Sequence, residues 1–596
     1  MPLRTAVQIG GDEGFELAKA TLCLKGYHLY SDVWDDQPPL HTFLITQILK
    51  HLSPSIVGPR LLTVAFAALI LASVFILVHR VNGLLAAAVA TVLFIAPPTF
   101  LQLSASCMLE IPALSLALAA LCLVAAVPLR EANVKLVKFR LLSAGALFGL
   151  ALQIKLVPAT LLPLFAFVLL TQRPSPPHGG ASESAPTRQA GTTRNSGLVI
   201  LSSFDIRPSS FLSACFLFMF SAALAWLCAD LAIDHGSSLL HLHQTWISHF
   251  APAKSFEYGS AADHPFDWSL LLRNWDTTLP ACFGVLVCLR RWRSERGAAK
   301  LEPNKLQRTR ATHLPRPFGR GEGRGEGSVR SSWFMVPTPA RSESGVSTSE
   351  PSDALGDSAV PLCAGLPRVS DRRSGGVHAP APLRSLHALT LLPVVWLAWS
   401  LVVFGLHRPW WSYYYVHTAI PLCWCAGIGL AALIRAAPPA GRFAKLPRSC
   451  ALALLALYAA CAIPWMAGRL YLQVRTVRNS PQTYNDLVIR EMARFKPFAQ
   501  WLYTDEPIYS FHSGIPLPPD LAVVMLKRLW SGDMTNARIA AEVADYRPGL
   551  ILLRNDARTM PFQALLEREY RLIYMDRDHR LYAHQSISRK GRGPAQ

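Results

Sequence analysis

Charged residues are scarce in this chain. They make up 16% of its 596 residues while hydrophobic ones make up 51%. Soluble globular chains carry about a quarter charged, so this balance excludes an ordinary soluble protein and points to lipid as the main solvent. Paired Cys-x-x-Cys motifs are lacking, although there are 12 cysteines, most of them inside apolar stretches. Neither a zinc site nor a disulfide framework is therefore indicated, and Cys423 and Cys425 read as small apolar residues of a span. No internal repeat is found, which weighs against an alternating-access transporter. Acidic residues are also few, 38 Asp and Glu against 58 Lys and Arg, for a net charge of +20. Such basicity invites a nucleic-acid reading. Yet Arg and Lys gather beside the ends of apolar runs and in two low-complexity stretches, as charge retained on the cytoplasmic side would. Nucleic acid is excluded as a partner on that ground, and the lipid bilayer takes its place.

What is present is a series of apolar runs. Candidate spans fall at 61–79, 84–100, 111–127, 141–153, 156–170, 209–232, 277–292, 386–406, 413–434 and 449–467, several of them near the ~20 residues that cross a hydrocarbon core. The pair 141–153 and 156–170 could be one tilted helix, but loop charge favours two. With two, Arg130, Lys135, Lys138 and Arg140, the four arginines between 290 and 296, and the basic 435–448 loop all share the cytoplasmic side. Residues 1–60, 101–110, 233–276, 407–412 and the tail after 468 then share the other. Residues 171–208 and 293–384 are rich in Pro, Gly, Ser and Arg without apolar periodicity and read as low-complexity insertions. From about 479 to 586, short apolar strands (500–503, 549–553, 571–575, 580–583) alternate with helical segments (519–529, 537–545), which suggests a small α/β domain. The expected fold is mainly α. It consists of an acidic loop with amphipathic helices (1–60), transmembrane helices (61–170, 209–292 and 385–468) forming a polytopic bundle, and an extracytoplasmic α/β domain with its tail (469–596).

The stretch richest in chemistry precedes the first span. It begins Asp12-Glu13-Gly14-Phe15-Glu16 and continues Gly26-Tyr27-His28-Leu29-Tyr30-Ser31-Asp32-Val33-Trp34-Asp35-Asp36-Gln37-Pro38-Pro39-Leu40. Adjacent carboxylates, aromatics and a Pro-Pro stop in one loop suit a polar ligand. The plainer reading is a solvated amphipathic helix with Asp12 as N-cap and Glu13 in its first turn, and composition alone favours it.

The pairing of Asp-Glu-Gly with Gly-x-x-Leu-Tyr-x-Asp-x-Trp-x-Asp-Gln-Pro-Pro-Leu resembles the first external loop of glycosyltransferase family 39, the bacterial relatives of protein O-mannosyltransferases and of the lipid A aminoarabinose transferase. Further segments match in order. Ser106-Cys107-Met108-Leu109-Glu110-Ile111-Pro112 is similar to the second acidic motif, and Gly149-Leu150-Ala151-Leu152-Gln153-Ile154-Lys155 to a Gly-Leu-x-x-x-x-Lys segment. His407-Arg408-Pro409-Trp410-Trp411-Ser412-Tyr413-Tyr414-Tyr415 resembles a late aromatic loop, and Trp501-Leu502-Tyr503-Thr504-Asp505-Glu506-Pro507 an extracytoplasmic domain. Each segment alone is weak; their order is specific.

The resemblance implies a GT-C-type membrane fold and an inverting glycosyltransferase of the cell inner membrane. Its donor would be a polyprenyl-phosphate sugar, and its acceptor a hydroxyl of a protein, lipid or glycan. Phosphate leaves readily, so one carboxylate base suffices if cations or donors balance the phosphate. By resemblance Asp12 is that base, Glu13 positions base or acceptor, and Glu110 is the second acidic partner. Substrate binding falls to Asp36, Lys155, His407, Arg408 and Tyr414, with Arg60 a weaker candidate for phosphate. Arg408, His407 and Arg60 are equally interfacial snorkelling residues on the plainer reading. Lys155 meets the phosphate only if 153–156 form an external turn between two helices. No metal site is assigned. Some relatives use a divalent metal near the site, to which His264 and Asp36 would correspond, against ordinary loop histidines at 235, 241, 243, 249 and 264.

Two departures stand out. Aminoarabinose transferases have Glu-Lys-Pro-Pro where this chain has Asp36-Gln37-Pro38-Pro39, so a phosphate contact from that Lys is missing. Family members also carry a transmembrane helix before the Asp-Glu loop, whereas only eleven residues without an apolar run precede Asp12. The expectation is a start further upstream or an absent first helix, the latter compatible with an inactive copy. The competing readings are a flippase for lipid-linked saccharides and a non-catalytic membrane protein that keeps the fold. Acidic residues at span ends, rather than at the midplane, count against the flippase.

Overall fold

A computed structural model describes residues 3–4, 11–52, 54–126, 134–171, 208–234, 237, 244, 263–311, 389–435, 448–479, 484–555 and 561–590. The histidines at 235, 241, 243 and 249, residues 172–207 and most of 293–384 lie outside that set.

Two amphipathic helices come first, α1 (Asp12–Leu24) and α2 (Leu40–His51). The bundle follows as α3 (Val57–Asn82), α4 (Leu84–Ile95), α5 (Pro98–Ser104), α6 (Glu110–Ala125), α7 (Val134–Leu152), α8 (Leu162–Thr171) and α9 (Pro208–Asp234). It continues as α10 (Ser269–Arg273), α11 (Trp275–Ala311), α12 (Leu392–Leu406), α13 (Tyr415–Arg435) and α14 (Arg448–Asn479). Four of these helices are long and apolar enough to cross a membrane, over Val57–Asn82, Phe211–Ile233, Ser412–Arg435 and Ser449–Arg475. Shorter apolar helices accompany them at Leu84–Ile95, Glu110–Ala125, Val157–Thr171 and Leu392–Leu406. The stretch 141–170 is broken, since α7 ends at Leu152 and a 3₁₀ turn (Val157–Leu161) leads into α8, with residues 153–156 between them.

Small residues let the helices approach. A Cβ on Gly145 would run into the Phe218 carbonyl of α9, and one on Gly149 into the Ala222 carbonyl. Gly284 of α11 and Gly429 of α13 meet in the same way, against the Cys425 and Pro280 carbonyls. In lipid, where tails are as apolar as leucine, such backbone-to-backbone packing is what holds helices together.

The C-terminal part begins with α15 (Asp486–Phe495) and builds a four-stranded sheet, β1 (Leu502–Thr504), β2 (Leu550–Arg554), β3 (Tyr570–Met575) and β4 (His579–His584), in the order β1-β2-β4-β3. β1 and β2 pair in parallel, Leu502 opposite Leu550, while β2–β4 and β3–β4 are antiparallel. The first four residues of β2 are buried, as its unbroken Leu-Ile-Leu-Leu run requires of a central strand covered on both faces. Around the sheet lie α16 (Ile508–Ser513), α17 (Leu526–Trp530), α18 (Asn536–Tyr546), α19 (Gln563–Glu569) and α20 (Gln585–Ser588). Helix α1 belongs to this core. Leu17, Ala18, Ala20 and Leu22 share one apolar cluster with Leu502, Leu550, Leu552, Leu581 and Ala583, and a Cβ on Gly14 would stand 2.8 Å from the Ile508 nitrogen. The C-terminal part is thereby fixed to the helix that carries Asp12 and Glu13.

Candidate functional site

Asp12 opens α1, one residue later than the N-cap position expected of it; Gly11 is the cap and offers no side chain. Its carboxylate is half-buried and has no hydrogen-bond or ion-pair partner among the described residues. Burial first, and then the charge of Glu110, push it up to about 6, while Lys155 and Lys527 pull the other way. A carboxylate flanked by another carboxylate and two ammonium groups is poised to exchange a proton near neutrality.

Glu110 begins α6 and is buried. Lys155, from the 153–156 turn, forms an ion pair with one of its oxygens; the other oxygen has no hydrogen-bond partner among the described residues. The Lys155 ammonium stands 5.2 Å from the ring centroid of Tyr413 and 5.3 Å from that of Tyr414, close enough for both π faces to contribute. Burial alone would lower Lys155, but Glu110 and Tyr414 hold it above the usual lysine range. His407, just past α12, packs edge-on against Tyr414 at 5.5 Å and is held below the ordinary histidine range by burial, Lys527 and Lys155. Asp12, Glu110, Lys155, His407 and Tyr414 thus meet in one place. Arg408 follows His407 and is exposed.

Glu13 takes another part. It is wholly buried, with Arg60 bonding both of its oxygens at 2.8 and 2.7 Å and the Cys107 backbone N–H donating at 2.9 Å. Both of its oxygens are taken up inside the protein, and Glu13 locks α1, the helix that carries Asp12, onto α3 and onto the loop before α6. Arg60, read as a weaker phosphate candidate, is 1% exposed and turns two of its nitrogens to Glu13.

A second buried network holds the loop after α1. Lys19 donates to both oxygens of Asp35 at 2.9 Å and pairs with Glu16 at 2.8 Å, while Thr42 donates to Glu16 at 3.1 Å. His41 stands 3.3 Å from the same carboxylate. Asp36 is 1% exposed and pairs at 3.2 Å with Lys527 of α17. His264 turns its ring to Trp411 (4.9 Å) and Trp530 (6.0 Å), not to a carboxylate. No group of three His, Cys, Asp or Glu among the described residues could hold a metal ion, and the Asp36 carboxylate already faces an ammonium.

Lys527 is the residue that sequence reasoning missed. It lies 491 positions from Asp36, in a Leu-Lys-Arg-Leu-Trp stretch with no motif to mark it. The Glu16–Lys19 spacing was a visible signal, three residues apart on one helix face.

Residues 27–174 match the family model described as dolichyl-phosphate-mannose-protein mannosyltransferase. That segment takes in Asp36, Glu110 and Lys155 and leaves Asp12 outside. Among solved structures, ArnT from Cupriavidus metallidurans in the apo state is similar with a TM-score of 0.51 at 12% identity, over 100% of this chain and 96% of that one. The fold is similar to that of ArnT. The same enzyme bound to undecaprenyl phosphate gives a TM-score of 0.48 at 13% identity, with the same coverage. No curated protein matches the sequence. The family resemblance read from the motifs is therefore found by the family model over part of the chain, and the mainly helical membrane architecture with a small C-terminal sheet is ArnT-like. The chain is an integral membrane protein.

Proposed function

We propose that this protein is a membrane glycosyltransferase that moves a sugar from a polyprenyl-phosphate carrier to a hydroxyl group, with Asp12 as the base. The observation that carries this reading is the Asp12 carboxylate, without a hydrogen-bond or ion-pair partner among the described residues and pushed up to about 6 by burial and Glu110, with Lys155 and Lys527 near it. Carboxylates alone would repel a lipid phosphate; a base set among ammonium groups offers the phosphate countercharge within reach of the atom that takes the proton.

On this reading the acceptor hydroxyl gives its proton to Asp12 as its oxygen attacks the anomeric carbon from the face opposite the phosphate, so the configuration inverts. The bond to phosphate breaks and the polyprenyl phosphate leaves with the electron pair. Lys155 stabilises the departing charge, and Glu110 holds Lys155 in place. The family model over 27–174 and the ArnT-like fold support the donor class. The acceptor is a protein, a lipid or a glycan, and the site lies on the extracytoplasmic side of the bacterial inner membrane.

Membranes carrying the wild type or Asp12→Asn, incubated with labelled polyprenyl-phosphate sugars, test the reading. Transfer by the wild type that drops by about 10²–10⁴-fold in the variant, the usual contribution of a general base, supports it. Equal transfer by both removes Asp12 from its role, and no transfer by either, across the donors tried, sets the enzyme reading aside.

A further inference from the structure

Three residues of helix α17 in the C-terminal part make contacts around the site, two of them with the loop after α1. Lys527 reaches Asp36 at 3.2 Å. The guanidinium of Arg528 lies 5.1 Å from the Trp34 ring centroid, and Arg528 is itself anchored by Asp533 at 2.7 Å and by the Asp520 carbonyl at 2.8 Å. Trp530 packs toward His264, whose ring lies tilted against Trp411 at 4.9 Å. Trp411 in turn leads directly into the Tyr413–Tyr414 pair beneath Lys155. The Lys527 ammonium thus ends on Asp36, near enough to Lys155 and Tyr414 for their charges to act on it.

The two ammonium groups there are not equivalent. Lys155 is tied to Glu110, faced by two tyrosine rings and 8% exposed at its side chain. The Lys527 side chain is 19% exposed, although Asp36 beneath it is almost wholly buried. A lysine head carries three donors on a flexible four-carbon stem, so one donor can stay on Asp36 while another turns to an arriving anion. Gln37, next to Asp36, brings no charge, and Arg60 is spent on Glu13.

We propose that Lys527 is the donor-binding cation of this site: supplied by the C-terminal part and steadied by Asp36, it takes the phosphate of the polyprenyl carrier. This rests on the glycosyltransferase reading and adds to it a binding residue from outside the membrane helices, so that the C-terminal part completes the site.

Equilibrium binding of radiolabelled undecaprenyl phosphate to the purified full chain in detergent, with uncharged undecaprenol as control, tests the assignment. Lys527→Met is expected to weaken undecaprenyl phosphate binding by about tenfold to a hundredfold, the worth of one charge-assisted hydrogen bond. Lys527→Arg, which keeps the charge, is expected to stay within about threefold of wild type. Undecaprenol should bind all three proteins alike. Binding of the phosphate by Lys527→Met within about threefold of wild type overturns the assignment while leaving the glycosyltransferase reading intact. So does a parallel loss of undecaprenol, which would mean that Lys527 only docks α17. A wild type that shows no saturable binding of undecaprenyl phosphate overturns the donor reading itself, and Lys527 with it.

Discussion

Removing Arg60 should cost this protein far more than a surface arginine would. The side chain is 1% exposed and its carboxylate partner, Glu13, is wholly buried. Two charge-assisted bonds at 2.8 and 2.7 Å would go with Arg60→Met, and the Cys107 N–H at 2.9 Å would be left as the remaining donor to a buried anion. Breaking a buried pair by taking one partner costs about 3–5 kcal/mol, because the other is stranded as an uncompensated charge. Replacing both by apolar residues of similar volume is nearly neutral. The double variant Glu13→Leu/Arg60→Met should therefore be more stable than Arg60→Met alone, with a coupling of about 2 kcal/mol or more. Reversible unfolding in mixed micelles, on wild type, both single variants and the double, measures that coupling. A loss below about 1 kcal/mol for Arg60→Met, or a double variant that loses the sum of the two singles, would show that Glu13 and Arg60 do not form the lock described. The same series separates structure from chemistry: folded Glu13→Gln should keep donor affinity, since no Glu13 oxygen faces the site.

Other consequences follow from the same contacts. Lys19→Met strands the buried carboxylates of Glu16 and Asp35 and should lower stability by about 3–5 kcal/mol, with loss of the Asp35–Asp36 corner seen as accelerated proteolysis between α1 and α2. Gly149→Val places a branched side chain where the Ala222 carbonyl of α9 lies; it should destabilise the bundle by at least the ~1–3 kcal/mol of an overpacked core, whereas Ala146→Val, on the half-exposed face of α7, should be close to neutral in the same unfolding assay.

The membrane character of this chain was legible because hydropathy needs no tertiary information. A run of apolar residues has few other places to go, and even the break at 153–156 shows in the sequence as Gln153 and Lys155 within an apolar stretch. The strands of the C-terminal sheet were legible within a residue or two, since β2 is an unbroken apolar run and β4 alternates. Segment 519–529, read as one helix, is a 3₁₀ turn at Pro519–Leu521 followed by α17 at Leu526–Trp530; Asp520 and Val523 instead turn their carbonyls to Arg528, a tertiary bond that outweighs helical continuity. Charge partners were the least visible. Glu13 looks as reactive as Asp12 in the sequence, and only the approach of α3 spends one and leaves the other. Lys527 reaches Asp36 because α1 and the sheet share a core, which no local pattern announces.

The claim at the centre is that Asp12 is a base whose affinity for the proton is raised by burial and, next to that, by Glu110. The pH dependence of kcat/KM for sugar transfer reports it most directly, since that ratio follows the ionisation of the free enzyme. A base must be deprotonated to act, so with Asp12 near 6 transfer should rise with pH through about 6 and then level. At pH 5 it should have fallen to about a tenth of the plateau, where an ordinary aspartate would still be about nine-tenths ionised. Glu110→Gln removes the like charge and frees Lys155 toward Asp12, and both effects move the acid limb to lower pH. A limb near 6 that shifts down in Glu110→Gln is the predicted result; a limb that stays put in that variant, or an activity flat down to pH 5, would contradict the account.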